Sequence, residues 1–143
     1  MKRLALFAFA FFVMTGLATG QTKEEVKAVK QSENKQELVK IKITIDGREL
    51  TASLINGAAA RDFISLLPLT LVLEDYNRTE KISALPKKLS TSGEPSGYDP
   101  SIGDIAFYAP WGNLCIYYRD FGYSNSLVFL GKIDGGMEVF NVS

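Results

Sequence analysis

From Leu38 onward the sequence predicts a mainly β protein, a closed barrel with one short capping helix. Three observations predict it. An apolar alternation runs through Val39, Ile41, Ile43 and Ile45, turns at Asp46-Gly47, and resumes at Leu50, Ala52 and Leu54. A single helical stripe follows at Ala60, Phe63, Ile64 and Leu67. After Pro68 come only short apolar runs punctuated by glycine and proline. Period two marks strands with one face buried, and period 3.6 marks a helix laid on a core.

Each element has a local reason. Asp46-Gly47 supplies the two positive-φ positions that a tight type I′ hairpin requires. Asn56 has the side chain to cap the helix, its amide oxygen accepting from a free N–H of the first turn, and Arg61 and Asp62 face outward. Pro68 has no N–H and ends the helix. Leu69, Leu71 and Leu73 restart the strand period, followed by runs at Ile105–Ala109, Leu114–Tyr118, Leu127–Leu130 and Met137–Val142, about seven strands in all. Closure hides strand edges that would otherwise recruit other chains. Pro86 to Gly103, with three prolines and three glycines in eighteen residues, reads as an ordered or mobile loop, of a length that serves either as a binding loop or lid or as a plain crossover.

The chain divides into three parts. Lys2 and Arg3 precede an unbroken eleven-residue apolar run, Leu4 to Met14, and Ala18 and Gly20 are small residues placed for cleavage before Gln21. Residues 1–20 therefore read as a signal peptide, the run being too short for the ~20 residues of a bilayer span. Residues 21–37 carry four lysines and four acidic residues around Val26, Ala28 and Val29 only, a flexible polar leader. Residues 38–143 form the barrel domain. The expected product is exported, periplasmic or secreted, soluble and monomeric, with no membrane segment once the signal is cut.

Composition excludes several chemistries. Among 143 residues, 46% are apolar and 22% charged, which is globular usage. Sixteen basic residues balance sixteen acidic ones, and without Lys2 and Arg3 fourteen face sixteen. Such a neutral chain names neither nucleic acid nor anionic lipid as a partner. The absence of histidine removes Ser-His-Asp and Cys-His catalysis and histidine-ligated metals. Cys115 is the single cysteine and, within Leu114-Cys115-Ile116, reads as a buried hydrophobe. Glu74-Asp75 and Asp99 with Asp104 lack the spacing of a calcium loop. No cofactor and no metal are expected.

The remaining signal is aromatic. Tyr108, Trp111, Tyr117, Tyr118, Phe121 and Tyr123 fall within sixteen positions, around a hairpin turned at Pro110 to Asn113. Strand parity sends Tyr117 and Tyr118 to opposite faces, so at least one phenol is expected at the surface. Rigid aromatics with polar tips suit a ligand or peptide surface. A shallow groove walled by Trp111, Tyr118 and Phe121 is expected, and the candidate ligand-binding residues are Tyr76, Arg78, Tyr108, Trp111, Tyr118, Phe121 and Tyr123.

The order of elements resembles cyclophilin. Ile43 to Leu50 is similar to its opening hairpin, Ala58 to Leu67 to the helix that plugs a barrel end, and Leu127 to Val139 to its late strand and turn. Ala60-Arg61-Asp62-Phe63, Leu66-Leu67-Pro68-Leu69-Thr70, Gly103-Asp104-Ile105 and Tyr108-Ala109-Pro110-Trp111-Gly112-Asn113 resemble a bacterial cyclophilin-like family whose function is largely unassigned. The resemblance implies the barrel. It does not carry over the prolyl isomerase site: Thr70 to Tyr76 stands where the catalytic arginine strand and Gln-Gly-Gly-Asp would follow, no arginine precedes Arg78 there, and the histidine is missing. The expected function is non-catalytic binding of a small molecule or extended peptide. The alternatives are a divergent prolyl isomerase or an accessory subunit of an envelope complex.

Overall fold

The computed structural model describes residues 2–9 and 37–141. The cleavage site at Ala18 and Gly20, almost all of the polar leader, and Val142 lie outside the described residues. Among the described residues ten strands run in chain order as β1 (Lys2–Ala8), β2 (Val39–Ile45), β3 (Arg48–Leu54), β4 (Leu69–Tyr76), β5 (Glu80–Ala84), β6 (Gly97–Tyr98), β7 (Asp104–Tyr108), β8 (Asn113–Tyr117), β9 (Ser124–Asn125) and β10 (Leu127–Ile133). The helix α1 spans Ala58–Ser65. Eight strands close an antiparallel barrel in the order β1-β2-β3-β10-β7-β8-β5-β4, while β6 and β9 form a separate ribbon.

The opening hairpin follows its sequence pattern. Asp46 and Gly47 both have positive φ, 48° and 75°, and the register runs from Ile45 opposite Arg48 to Val39 opposite Leu54. Ile41, Ile43 and Ile45 are completely buried inside the barrel, with Ala52 and Leu54 beside them. Ala59, Ala60 and Phe63 of α1 are also completely buried and join the same core.

The helix start differs from expectation. Gly57, in extended backbone, is the N-cap and offers no side chain. The Ala59 N–H instead donates to the carboxylate of Glu94 at 3.1 Å, a negative charge brought by the long loop to the positive end of the helix. Gly57 permits that approach, since a Cβ there would lie 2.7 Å from Glu94 Oε1. Asn56 is engaged elsewhere, its Oδ1 accepting from the Arg61 guanidinium at 3.0 Å.

Four further differences reshape the map. β5 is a full stave between β4 and β8 that the apolar pattern did not mark, because it opens with the buried charged residues Glu80 and Lys81. The C-terminal strand expected over Met137–Val142 is a 3-10 turn at Met137–Phe140. Gly136 at φ 81° redirects the chain there, and Val139 and Phe140 are inserted into the core. The loop from Pro86 to Gly103 is pinned down: Leu89 is buried, the Ser90 N–H donates to Asp62 at 2.7 Å, and Gly97–Tyr98 pairs with Ser124–Asn125. Last, Lys2–Ala8, given no part in the fold by the sequence reading, pairs with β2 on one side and β4 on the other. Leu4 and Leu6 point inward, completely buried. An unbroken apolar run has no period, so nothing in it separates an export segment from a core strand.

Candidate functional site

The barrel has apolar contacts on both sides of its wall along β7, β8 and β10. Inside lie Ile105, Phe107, Leu114, Ile116 and Tyr118. Outside, Ala106, Cys115, Tyr117 and Leu127 form a second buried cluster beneath Ile82, Tyr98 and Tyr108. Tyr98 comes from the short ribbon, its ring edge-on to Phe129 at 5.6 Å. A second layer on a barrel wall needs a covering segment, and the long loop supplies it.

Beside this layer a cleft of about 190 Å³ opens on the outer face. Its floor follows from the pairing of β5 with β8, which sets Glu80 opposite Tyr117, Ile82 opposite Cys115 and Ala84 opposite Asn113. Alternation sends these side chains outward while Leu114 and Ile116 fill the barrel. Tyr76 arrives from the end of β4, Tyr108 from the end of β7, Trp111 from the β7–β8 turn, Phe121 from the segment leading into β9, and Ser124 from β9 itself. The turn is shaped by Gly112 at φ 70°, whose N–H donates to the Tyr108 carbonyl at 2.9 Å. Trp111 stands edge-on to Tyr76 at 5.6 Å and to Tyr108 at 5.2 Å, with interplanar angles of 85° and 88°. It remains 55% exposed.

Glu80 is the one charged side chain in the lining. It is only 8% exposed, and its Oε2 is buried without a hydrogen-bond partner. Burial pushes its carboxyl above the ordinary range, although the Tyr117 hydroxyl and Cys115 thiol beside it pull the other way. Burial, reinforced by the Glu80 charge, raises the Cys115 thiol in turn. A thiol so placed stays protonated at neutral pH and is no nucleophile.

Four of the seven sequence-predicted residues, Tyr76, Tyr108, Trp111 and Phe121, meet in this cleft. Three do not. Arg78 sits in the Asn77-Arg78 turn at φ 54°, its N–H donating to Asp75 Oδ2 at 3.3 Å. Tyr123 is 59% exposed and its hydroxyl lies 3.3 Å from Ser96 Oγ. Tyr118 belongs to the inner parity and points into the barrel, so the groove is not walled by it. The expectation of an exposed phenol at 117 or 118 also fails: both are buried, one on each side of the wall. Glu80, Ile82, Asn113, Cys115, Tyr117 and Ser124 were missed. For Glu80 and Ile82 the available signal was their shared parity two residues apart.

Tyr118 serves another centre, near one end of the barrel. Its hydroxyl donates to Asp75 Oδ1 at 2.6 Å, and Lys81 Nζ reaches the same oxygen at 3.1 Å while lying 5.4 Å from the Tyr118 ring centroid. Burial raises the Asp75 carboxyl, but the Tyr118 hydroxyl and Lys81 outweigh it and the net shift is downward. Burial and the Asp75 contact push the Tyr118 phenol up to about 12. Asp134 is likewise lowered overall, burial being outweighed by Ser53, Lys40 and Thr51.

A carboxyl lowered on folding contributes stability that is present above its unfolded value of ~3.9 and is lost as pH falls through the folded value. The urea midpoint is therefore expected to drop between pH 6 and pH 3, and Asp75→Asn to shrink that drop. An unchanged drop would remove Asp75 from the account. Glu80 has the opposite sign: its contribution is present below the unfolded glutamate value and is lost as pH rises through the raised folded one.

Among the described residues no group of three or more acidic or cysteine side chains is placed to hold a metal. Asp104 caps a turn, its Oδ2 accepting from the Ser101 N–H at 2.9 Å. No curated protein and no solved structure is matched by the chain. The cyclophilin-like family matches residues 43–142, which takes in the helix, the long loop, the whole outer cleft and every stave except β1 and the first part of β2. Over that span the chain belongs to the cyclophilin-like family.

Proposed function

We propose that this protein is a non-catalytic binding domain whose outer cleft takes a small molecule or an extended peptide. One observation carries the reading: five aromatic side chains, from β4, β7, the β7–β8 turn, β8 and the segment before β9, converge on a single cleft around a buried carboxyl group. Partly exposed rings held by a rigid sheet offer contact area at little cost in conformational entropy. Export to the periplasm or the medium is part of the proposal and rests on Lys2-Arg3, the apolar run and the small residues at 18 and 20.

No arginine lines the cleft, so it lacks the cationic donor expected of a site that binds a twisted prolyl amide better than a planar one. A protease-coupled assay on a proline peptide is expected to show no acceleration over background. Acceleration that disappears when one arginine is replaced would put the isomerase reading in its place.

The direct test is a thermal-shift screen with metabolites and proline-containing peptides. A ligand that binds only the folded state raises stability by ~2.7 kcal/mol at a hundredfold excess over its Kd. Hits are expected to shift the fluorescence of Trp111, the single tryptophan of the chain, and to lose their thermal effect in Trp111→Ala. Hits that stabilise Trp111→Ala equally well would place binding away from the cleft.

A further inference from the structure

We infer that the outer cleft selects an organic ammonium group, held between the Glu80 carboxylate and the rings of Tyr76, Tyr108 and Trp111. The inference rests on the reading of this cleft as a binding site and adds the chemistry of the occupant.

The argument begins with an unsatisfied atom. Glu80 Oε2 is buried and accepts no hydrogen bond, and an unpaired buried acceptor is costly, more so when charged. No lysine or arginine lines the cleft to pair with it. The two buried charged residues of β5 contrast here: Lys81 has its counter-charge in Asp75 at 3.1 Å, whereas Glu80, one position earlier and on the opposite face, has none. The Tyr117 hydroxyl and Cys115 thiol beside it are neutral, so the missing element is a counter-charge, which a ligand carrying N–H donors and a positive charge supplies.

The walls favour the same chemistry. Trp111 lies nearly perpendicular to both Tyr76 and Tyr108, and all three rings line the cleft that holds Glu80. Aromatic rings attract cations through the negative potential of their faces. An anionic ligand would meet Glu80 without a countercharge. A metal ion would find a single carboxylate and no ligand set. At about 190 Å³ the space suits a short alkylammonium, whether a free amine or the end of a lysine side chain on a peptide.

The test follows Trp111 fluorescence at constant ionic strength, with the full chain and three probes: n-butylammonium chloride, neutral 1-butanol, and an end-blocked tripeptide with a central lysine. A saturable response to butylammonium that exceeds the butanol response by roughly tenfold or more in affinity is expected, and Glu80→Gln should abolish that preference. Tyr76→Leu, at a position 42% exposed, supplies a second variant that weakens ammonium binding should Glu80→Gln misfold. Response to butylammonium identifies a free amine as sufficient; response to the lysine peptide alone, dependent on Glu80, places the ammonium on a peptide. Both outcomes support the inference.

Equal responses to butylammonium and butanol, unaffected by Glu80→Gln, would overturn the ammonium assignment and leave the cleft as a binding site. Silence from all three probes overturns the assignment as well. If no hit from the thermal-shift screen moves Trp111 either, the binding reading falls with it.

Discussion

Phe63→Ala is expected to remove ~3–5 kcal/mol of stability, the range for emptying a fully buried aromatic site. Phe63 is 0% exposed at the centre of the buried face of α1. Its ring meets core staves through an eight-residue helix, too short to hold its own shape without that packing. The loss therefore combines a cavity with a loosened helix. Urea denaturation followed by circular dichroism reads it, with Phe63→Leu expected to recover much of the deficit because volume and apolarity are largely kept. A loss under ~1 kcal/mol for the alanine variant would mean that α1 does not close the core.

Gly131→Ala is expected to cost more than its single added carbon implies. A Cβ at Gly131 would lie 2.3 Å from the Ser53 carbonyl oxygen and 2.7 Å from Leu54 Cα, so the obstruction is backbone and no rotamer change relieves it. The position also sits at the register shift between Phe129 and Gly131 in the β10–β7 ladder, and from Gly131 onward β10 is paired with β7 on one edge and β3 on the other. Forcing those strands apart breaks ladder bonds as well as packing, for a loss of ~3 kcal/mol or more. Gly135→Ala is the control, since a Cβ there meets nothing within 4 Å. Similar unfolding midpoints for the two alanine variants would refute the close-approach account.

The fold was legible in the sequence wherever local chemistry decided it. Asp46-Gly47 could make only one kind of turn, Pro68 could not extend a helix, and the alternation from Val39 to Ile45 had only one apolar face. What escaped was decided by partners distant in sequence. Lys81 enters a strand as a buried cation because Asp75 and Tyr118, the latter reached only through folding, receive it. Asn56 was the natural cap until Glu94, thirty-five residues from Ala59, supplied a better acceptor.

The same division runs through the cleft. Tyr108, Trp111 and Phe121 cluster in the sequence and meet in space. Glu80 carries no signal of its burial in the sequence, because only the pairing of β5 with β8 sets it opposite Tyr117. Tyr118 was misplaced because parity separates Tyr117 from Tyr118 without saying which of the two faces outward, and here both faces of the wall are covered.

The opening strand has a consequence for biogenesis. Leu4 and Leu6 cover the interior between Ile41, Ile43 and Ile45 on one side and Leu71 and Leu73 on the other. A molecule trimmed before Gln21 forfeits that shutter, and its two bordering staves present bare amide and carbonyl rows to whatever strand comes near. The proposed cleavage before Gln21 would remove the same seven residues that complete the ring, and the intact mass of protein recovered from its native cell would tell whether it takes place.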